Sequence, residues 1–492
     1  MGAVLQHPAL LKRAFESGGL HPALSQWISS GIPADADIRS ALRAVRARSR
    51  EAAQNDDHMR LFLRMVESNV IGWTGVTVQA KPALLGGKPD KSATQTIEAL
   101  WADQCARGNW DVSGQHSRHG FSRIGVRTVA QDGEVLIRVH EYAPDAPTGF
   151  AVELLDAEAL DVDHNEVLPN GNLIRMGVEM TPRRRPVAYW LHAEPPQSGW
   201  GSYRGSERVR IPAAEILHVY LPEWVWQSRG VPWAVTALRR MKMLGGYEEA
   251  ASTAARAAAV KSAAYVQQEW AAPGASPAGQ GEGQMSQDLS PGAIEVVPYG
   301  WDLKPLDWSW PNTEHGDFCK EALRGIAGGL GVGYNALAND LEGVNYSSLR
   351  QGALTERDLW MSLQDWWIEW VERPIYQRWM AFALRHGALR KRNGDAYERE
   401  RWAGLSTASF QARRWPWVDP VKDIDAAAKA VALGTRSVSD VIRESGRDPE
   451  EVWTELATDL ERLKALGLTL TDILTPSTPA ATAPVVDPEN PA

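Results

Sequence analysis

The chain lacks much of what several common protein classes require. Its 492 residues hold only two cysteines, Cys105 and Cys319, too few for a disulfide framework or a cysteine metal site, and this points to a reducing compartment. No run of about 18 apolar residues occurs, so no membrane-spanning helix and no membrane partner is expected. The opening MGAVLQHPALLKRAFESGGL has no continuous apolar core or small-residue cleavage site, so no signal peptide is expected. Gln6 stands where a myristoylation signal needs Ser or Thr. A basic surplus is missing too: 52 Lys and Arg face 61 Asp and Glu, a net charge of −9. That argues against tight wrapping of nucleic acid, which needs many phosphate-neutralising cations. It leaves open a surface past which nucleic acid slides without sticking.

The motifs of common chemistries are also wanting. No G-x-x-x-x-G-K-[ST] is present, and LLGGKPDKS near Lys88 fails on spacing. There is no G-x-S-x-G nucleophile elbow. His116 and His119 form an H-x-x-H pair without a second ligand motif, which is weak for zinc. GVGYNA at Gly331 fits a dinucleotide pattern, but it follows a helix where that motif needs a strand. No catalytic residue, cofactor or metal is assigned, and the chain is not expected to be an enzyme.

What is abundant is tryptophan, 22 residues against 7 Phe, scattered as anchors for cores and interfaces rather than gathered into one binding platform. At this length about three domains are expected. Residues 37–70 read as two helices, the first basic through Arg39, Arg43, Arg46, Arg48 and Arg50. These arginines form either a solvated face or a contact with DNA or an acidic neighbour. Residues 71–79 alternate like a strand, 92–108 read as a helix, and 126–219 turn to β texture. Residues 232–266 have strong helix propensity, and their alanine-rich second half suggests packing against copies of itself or a partner helix. Residues 271–292 read as a low-complexity linker, and AIEVV at 293–297 as a strand.

The stretch around which the rest is organised runs from 317 to 354, DFCKEALRGIAGGLGVGYNALANDLEGVNYSSLRQGAL. Phe318, Ala322, Ile326 and Leu330 recur every four residues, an apolar stripe on a helix. Gly328, Gly329, Gly331 and Gly333 are expected to stop that helix and act as a hinge. An acidic loop follows, and Asn345 is placed to cap the next helix. In that helix Leu359, Leu363, Trp366 and Trp370 form a stripe, and Pro374 is expected to kink it. Residues 419–470 read as helical, and 475–492 as a disordered tail.

FCKEALRGIAGGLGVGYNALANDLEGVNYSSLRQGALTERD closely resembles the signature region of the lambda-type bacteriophage portal proteins. The residues at 45–51, GEVLIR at Gly133, GVEMTPRRRPVAYWL at Gly177, EILHVY at Glu215 and QSRGVPW at Gln227 match in order and separation over residues 40–470. The resemblance implies a homo-oligomeric ring, twelve subunits in most members, at one vertex of the capsid. Double-stranded DNA passes through such a ring at packaging, driven by a terminase, and at ejection. Head-completion or tail-connector proteins dock on it, and it contacts major capsid and scaffold proteins. The implied location is the virion, after assembly in the host cytoplasm. The implied fold class is α+β: a mixed α/β wing, a two-helix stem, a small α/β clip, a long kinked wing helix and an α-helical crown. Residues 1–230 would be the N-terminal segment and first wing part, 231–266 and 312–330 the stem helices, and 267–311 the clip. Residues 331–345 would be the tunnel loop, 346–418 the second wing part, 419–473 the crown and 474–492 a disordered tail. Asn335, Asn339, Asp340, Glu342 and Asn345 would then border a DNA channel, with Arg256, Lys261, Lys320 and Arg324 as channel-facing cations of the stem. The rival readings are a nucleic-acid-processing enzyme with an unrecognised site and a connector ring with no DNA duct.

Overall fold

The computed structural model describes residues 31, 33–84, 88–144, 146–192, 207–259, 263–267, 301–305, 315–342, 346–391, 393–398, 401–415, 420–445 and 447–465. The candidates Lys261 and Asn345 lie outside the described residues, as do the 271–292 linker, the AIEVV strand and the 475–492 tail.

Helices α1 (Ala34–Asn55) and α2 (Asp57–Val66) are separated at Asp56, whose carboxylate accepts from the Met59 N–H and caps α2. A π turn, Glu67–Ile71, ends α2. Ile71 is fully buried in that turn, so strand β1 begins only at Thr77 (Thr77–Ala80), six residues later than the alternation suggests. Helix α3 (Lys91–Gln104) is capped by Asp90, and α4 (Arg118–Asp132) by Ser117. The last helix corrects the expected β texture from Val126 onward. Gly120, Gly125, Val126, Thr128 and Val129 are poor helix formers in isolation. Tertiary burial of Phe121, Val126, Val129 and Ala130 overrides that preference. Gly125 also receives the Trp367 ring, where a Cβ would lie 2.8 Å from it.

The β region proper follows: β2 (Glu134–Glu141), β3 (Phe150–Leu155), β4 (Glu166–Val167), β5 (Leu173–Arg175), β6 (Val178–Met180), β7 (Pro186–His192), β8 (Arg208–Pro212) and β9 (Ile216–Tyr220). They form two antiparallel sheets, β3-β2-β9 and the meander β4-β5-β6-β7-β8. Helix α5 (Leu238–Ala259) comes next. The expected continuous helix to Val266 stops short, because Ala263–Gln267 is strand β10, paired antiparallel with β11 (Trp301–Pro305). Ladder pairing decides these residues, and alanine's helix propensity does not.

Helix α6 (His315–Leu330), the short α7 (Tyr334–Ala338) and α8 (Tyr346–Trp367) complete the organising stretch. Before Pro374 the α-helical pattern gives way to a π turn, Ile368–Glu372, and α9 (Arg373–His386) carries Pro374 in its first turn. Then come α10 (Trp402–Leu405), β12 (Ala408–Gln411, paired with β1), α11 (Pro420–Ala432), α12 (Val438–Glu444) and α13 (Pro449–Ala465). The C-terminal helical region is thus three helices, broken at Gly434 with φ 72°.

The main core joins α2, α3, α4, β2, β3, α6, α8 and α9. Tryptophan anchors it: Trp101 meets Trp110, Tyr376 and Trp379 with ring centroids 5.7, 5.1 and 4.8 Å apart. Trp367, off the expected stripe, is fully buried, and its indole donates to Glu372 at 3.2 Å. Glu372 is itself buried and pairs with Arg118 at 2.8 Å, tying α4 to the π turn.

A second buried carboxylate gathers more. Glu134 accepts from Arg46 at 2.9 Å, from Arg229 Nε at 2.7 and 3.0 Å, and from the Gly230 N–H at 2.9 Å, while His218 lies 2.9 Å away. Arg229 also donates to the carbonyls of Ala157, Leu160 and Met176. Burial alone would raise the carboxyl's pKa, but Arg229, His218 and Arg46 hold it well below the usual range. Of the α1 arginines, Arg43, Arg46 and Arg50 pair with acidic neighbours in the same chain, while Arg39 and Arg48 are exposed.

Candidate functional site

Helices α5 and α6 lie antiparallel. At one end Thr236 Oγ1 donates to the Gly329 carbonyl at 2.9 Å, and Ala237 would be 3.2 Å from a Cβ on Gly329. At the other end Tyr247 stacks on His315 and meets Phe318 with centroids 4.4 Å apart. Phe318, the first member of the expected stripe, is therefore exposed and serves the α5 contact, while Ile326 and Leu330 enter the core.

Four glycines were expected to stop α6, and the structure divides them. Gly328 and Gly329 are helical, because α6 runs on to Leu330. The missing Cβ of Gly329 admits α5 at close range. Gly331, with φ 71°, is the residue that turns the chain out of the helix. Gly333 has an ordinary extended backbone and precedes α7, so the expected open loop holds a helical turn with Asn335 inside it. Asn339 ends that turn in the left-handed region at φ 50°, a conformation asparagine tolerates.

This turn delivers Asp340 to a small polar network. Its carboxylate accepts the Tyr334 hydroxyl at 2.8 Å and the Glu342 N–H at 2.9 Å. Lys320 Nζ, one α6 face away, stands 3.9 Å from both Asp340 and Glu342. Arg324, a turn further along α6, sits over the Tyr334 ring at 5.5 Å and pairs with Glu321. The Glu342 N–H first, and then the Tyr334 hydroxyl, lower the Asp340 pKa. Burial first, and then the bond to Asp340, raise that of Tyr334. The acidic loop is thus partly neutralised by cations of its own chain.

Of the candidate residues, Lys320, Arg324, Asp340 and Glu342 come together, with Asn335 and Asn339 framing them. Arg256 is exposed on α5, nine residues beyond Tyr247 or about 14 Å further along the helix, and does not join them. Tyr334 and Glu321 were missed by the sequence reading. A tyrosine six residues before an aspartate has no fixed spacing to flag it, because the α7 turn and the left-handed Asn339 set the contact. His119 Nε2 lies 3.0 Å from the Gly72 carbonyl, and among the described residues no group of three or more His, Cys, Asp or Glu forms a metal-binding cluster.

Nothing in this network makes a nucleophile or a proton relay. What it offers is a shaped, charged turn at the end of a helix pair. The chain's relatives identify its family. The chain is 34% identical over 463 residues to the probable portal protein of Halomonas phage phiHAP-1, covering 93% of this chain and 88% of that protein. It is 19% identical over 493 residues to portal protein B of Escherichia phage lambda, covering 92% and 89%. A chain from the neck of an empty GTA particle superposes with a TM-score of 0.47 at 13% identity, over 83% of this chain and 94% of that one. The family model for phage portal proteins of the lambda family matches residues 21–364. With the family model matching most of its length and a portal protein 34% identical over 93% of it, the chain belongs to the lambda family of phage portal proteins.

Proposed function

We propose that copies of this chain form a ring, of twelve subunits in the assembled particle, at a single capsid vertex. Double-stranded DNA passes through its centre during packaging and ejection, and terminase and then head-tail connector proteins dock on one end. In this reading residues up to about 230 form the first wing part, and α5 and α6 are the stem. The β10–β11 ladder belongs to the clip, α8 and α9 to the second wing part, and α11–α13 to the crown. The family relationship carries the reading. The antiparallel α5–α6 pair ending in a charged turn supports it.

The turn at 334–342 is the DNA-facing element of this proposal. Repeated around a ring, Asp340 and Glu342 oppose adhesion of phosphates, while Lys320 and Arg324 temper the repulsion, so the lining holds a duplex centred without gripping it. A charge-balanced lining suits a surface that must let DNA slide.

Negative-stain imaging of the purified chain tests the ring: a turbine-like particle with a channel wide enough for a duplex is expected, and a persistent monomer at high concentration overturns it. For the loop, the double change Asp340→Lys and Glu342→Lys leaves rings intact and reduces DNA packaging or retention. Unchanged packaging with intact rings removes the loop from the mechanism.

A further inference from the structure

Helix α13 presents an apolar face that the described residues leave uncovered. Trp453, Leu456 and Leu460 are 47%, 40% and 41% exposed, although an isolated soluble helix gains nothing by showing them to water. With Leu463 they are spaced 3, 4 and 3 residues apart, the a-d-a-d seam of a heptad repeat. The opposite face is polar, with Thr454, Glu455, Thr458, Glu461 and Arg462. Near its start the helix makes ion pairs on exposed side chains, Glu450 with Lys91 at 3.7 Å and Glu455 with Arg447 at 2.5 Å.

The flanks of the seam say what covers it. In this register Asp459 takes a g position and Lys464 the e position of the following heptad, five residues on. Between two parallel helices in register, a g residue faces the e residue of the next heptad on the neighbour. Asp459 of one copy therefore meets Lys464 of another. Within one helix these two residues lie about 140° apart and cannot pair, since only positions three or four apart are neighbours. Asp459 instead reaches Arg462 at 3.5 Å in a wide-open i,i+3 contact. The a positions hold Trp453 and Leu460, without the β-branched residues that favour two strands. Rotational symmetry makes every copy of α13 parallel to its neighbours and lets the g-to-e contact repeat in one direction around a closed ring.

We infer that α13 is a self-association element: its Trp453–Leu456–Leu460–Leu463 seam packs on the α13 of a neighbouring copy, in parallel, with Asp459 of each subunit paired to Lys464 of the next. The inference rests on the ring proposed above. At 17 residues the helix is too short to associate strongly alone, so it locks subunits that the remainder of the chain has already brought together.

The full-length chain tests this by cross-linking. Carrying both Asp459→Cys and Lys464→Cys, it forms a ladder of covalent multimers under mild oxidation. Either single change, or the unaltered chain with Cys105 and Cys319, gives no ladder. In a second arm, Asp459→Lys raises the chain concentration needed for assembly at low salt, where the new Lys–Lys repulsion is least screened, and adding Lys464→Asp restores it. Rings by microscopy that give no ladder, or a charge swap without rescue, overturn the inference while leaving the ring standing. A chain that stays monomeric overturns both.

Discussion

Glu134 and Asp340 are both carboxylates held ionised by hydrogen bonds and cations, yet they do opposite work. Glu134 is sealed from water and contacted by three side chains and a backbone N–H from α1, β9 and the segment after β9. Asp340 sits at the surface with one hydroxyl, one N–H and a lysine at 3.9 Å. In the sealed site each partner is needed to keep the others' charges solvated, so the network fixes geometry. At the open site water replaces any lost partner, so the charges stay adjustable and set only what the surface presents. The rigid part of this chain and its adaptable part use the same chemistry at different dielectric.

The largest expected effect comes from breaking the sealed site. Glu134→Gln strands the Arg46 and Arg229 guanidiniums in the interior and lowers stability by about 3–5 kcal/mol, read from the denaturant midpoint. The pH dependence sharpens the point. The folded carboxyl has a depressed pKa, so its stabilisation is complete above the unfolded value of about 4.3 and is lost as pH falls below it. The gap between the native chain and Glu134→Gln therefore narrows on acidification. A constant gap down to the acid transition would show that Glu134 acts through shape alone.

Glycines give a smaller contrast. A Cβ on Gly230 would lie 2.0 Å from the Gly133 carbonyl oxygen, which is backbone and cannot yield. Gly230→Ala is expected to cost about 1–3 kcal/mol. Gly328 is exposed in α6 with open space around its Cβ, and Gly328→Ala gains about 0.5–1 kcal/mol by restricting the unfolded chain and favouring the helix. Equal thermal shifts of one sign would contradict this assignment of the two positions.

The smallest effect on stability is expected at the open site. Lys320→Gln leaves the thermal midpoint where it was, because the lysine is half-buried at most and its contacts are long. It speeds hydrogen exchange of the Glu342 amide by loosening the turn around Asp340. A drop in midpoint comparable with that of Glu134→Gln would erase the distinction between the two sites.

Much of this contrast was legible in the residues, though not its assembly. Arg46 and Arg50 could be read as cations seeking an acidic neighbour, but Glu134 and Asp132 stand more than eighty residues away. GEVLIR, EILHVY and QSRGVPW each carried part of the family resemblance as separate strings. Folding brings Glu134, His218 and Arg229 from the three of them to one point. Helix α4 was lost to β texture because its glycines and β-branched residues mark local preference, whereas packing against Trp367 marks the native state. The same competition ended α5 before the β10 strand.

The sequence by itself determined the family, the helix pair with a glycine-marked turn and an acidic tip, the tryptophan-anchored core, and the helical character of the C-terminal region. These are short-range patterns of period, composition and motif, and they need no partner to be recognised. Only the tertiary structure decided which glycine ends α6, which cations answer Asp340 and Glu342, and which arginines are buried. Those outcomes depend on what lies within a few ångströms across the fold, where the separation along the chain carries no information.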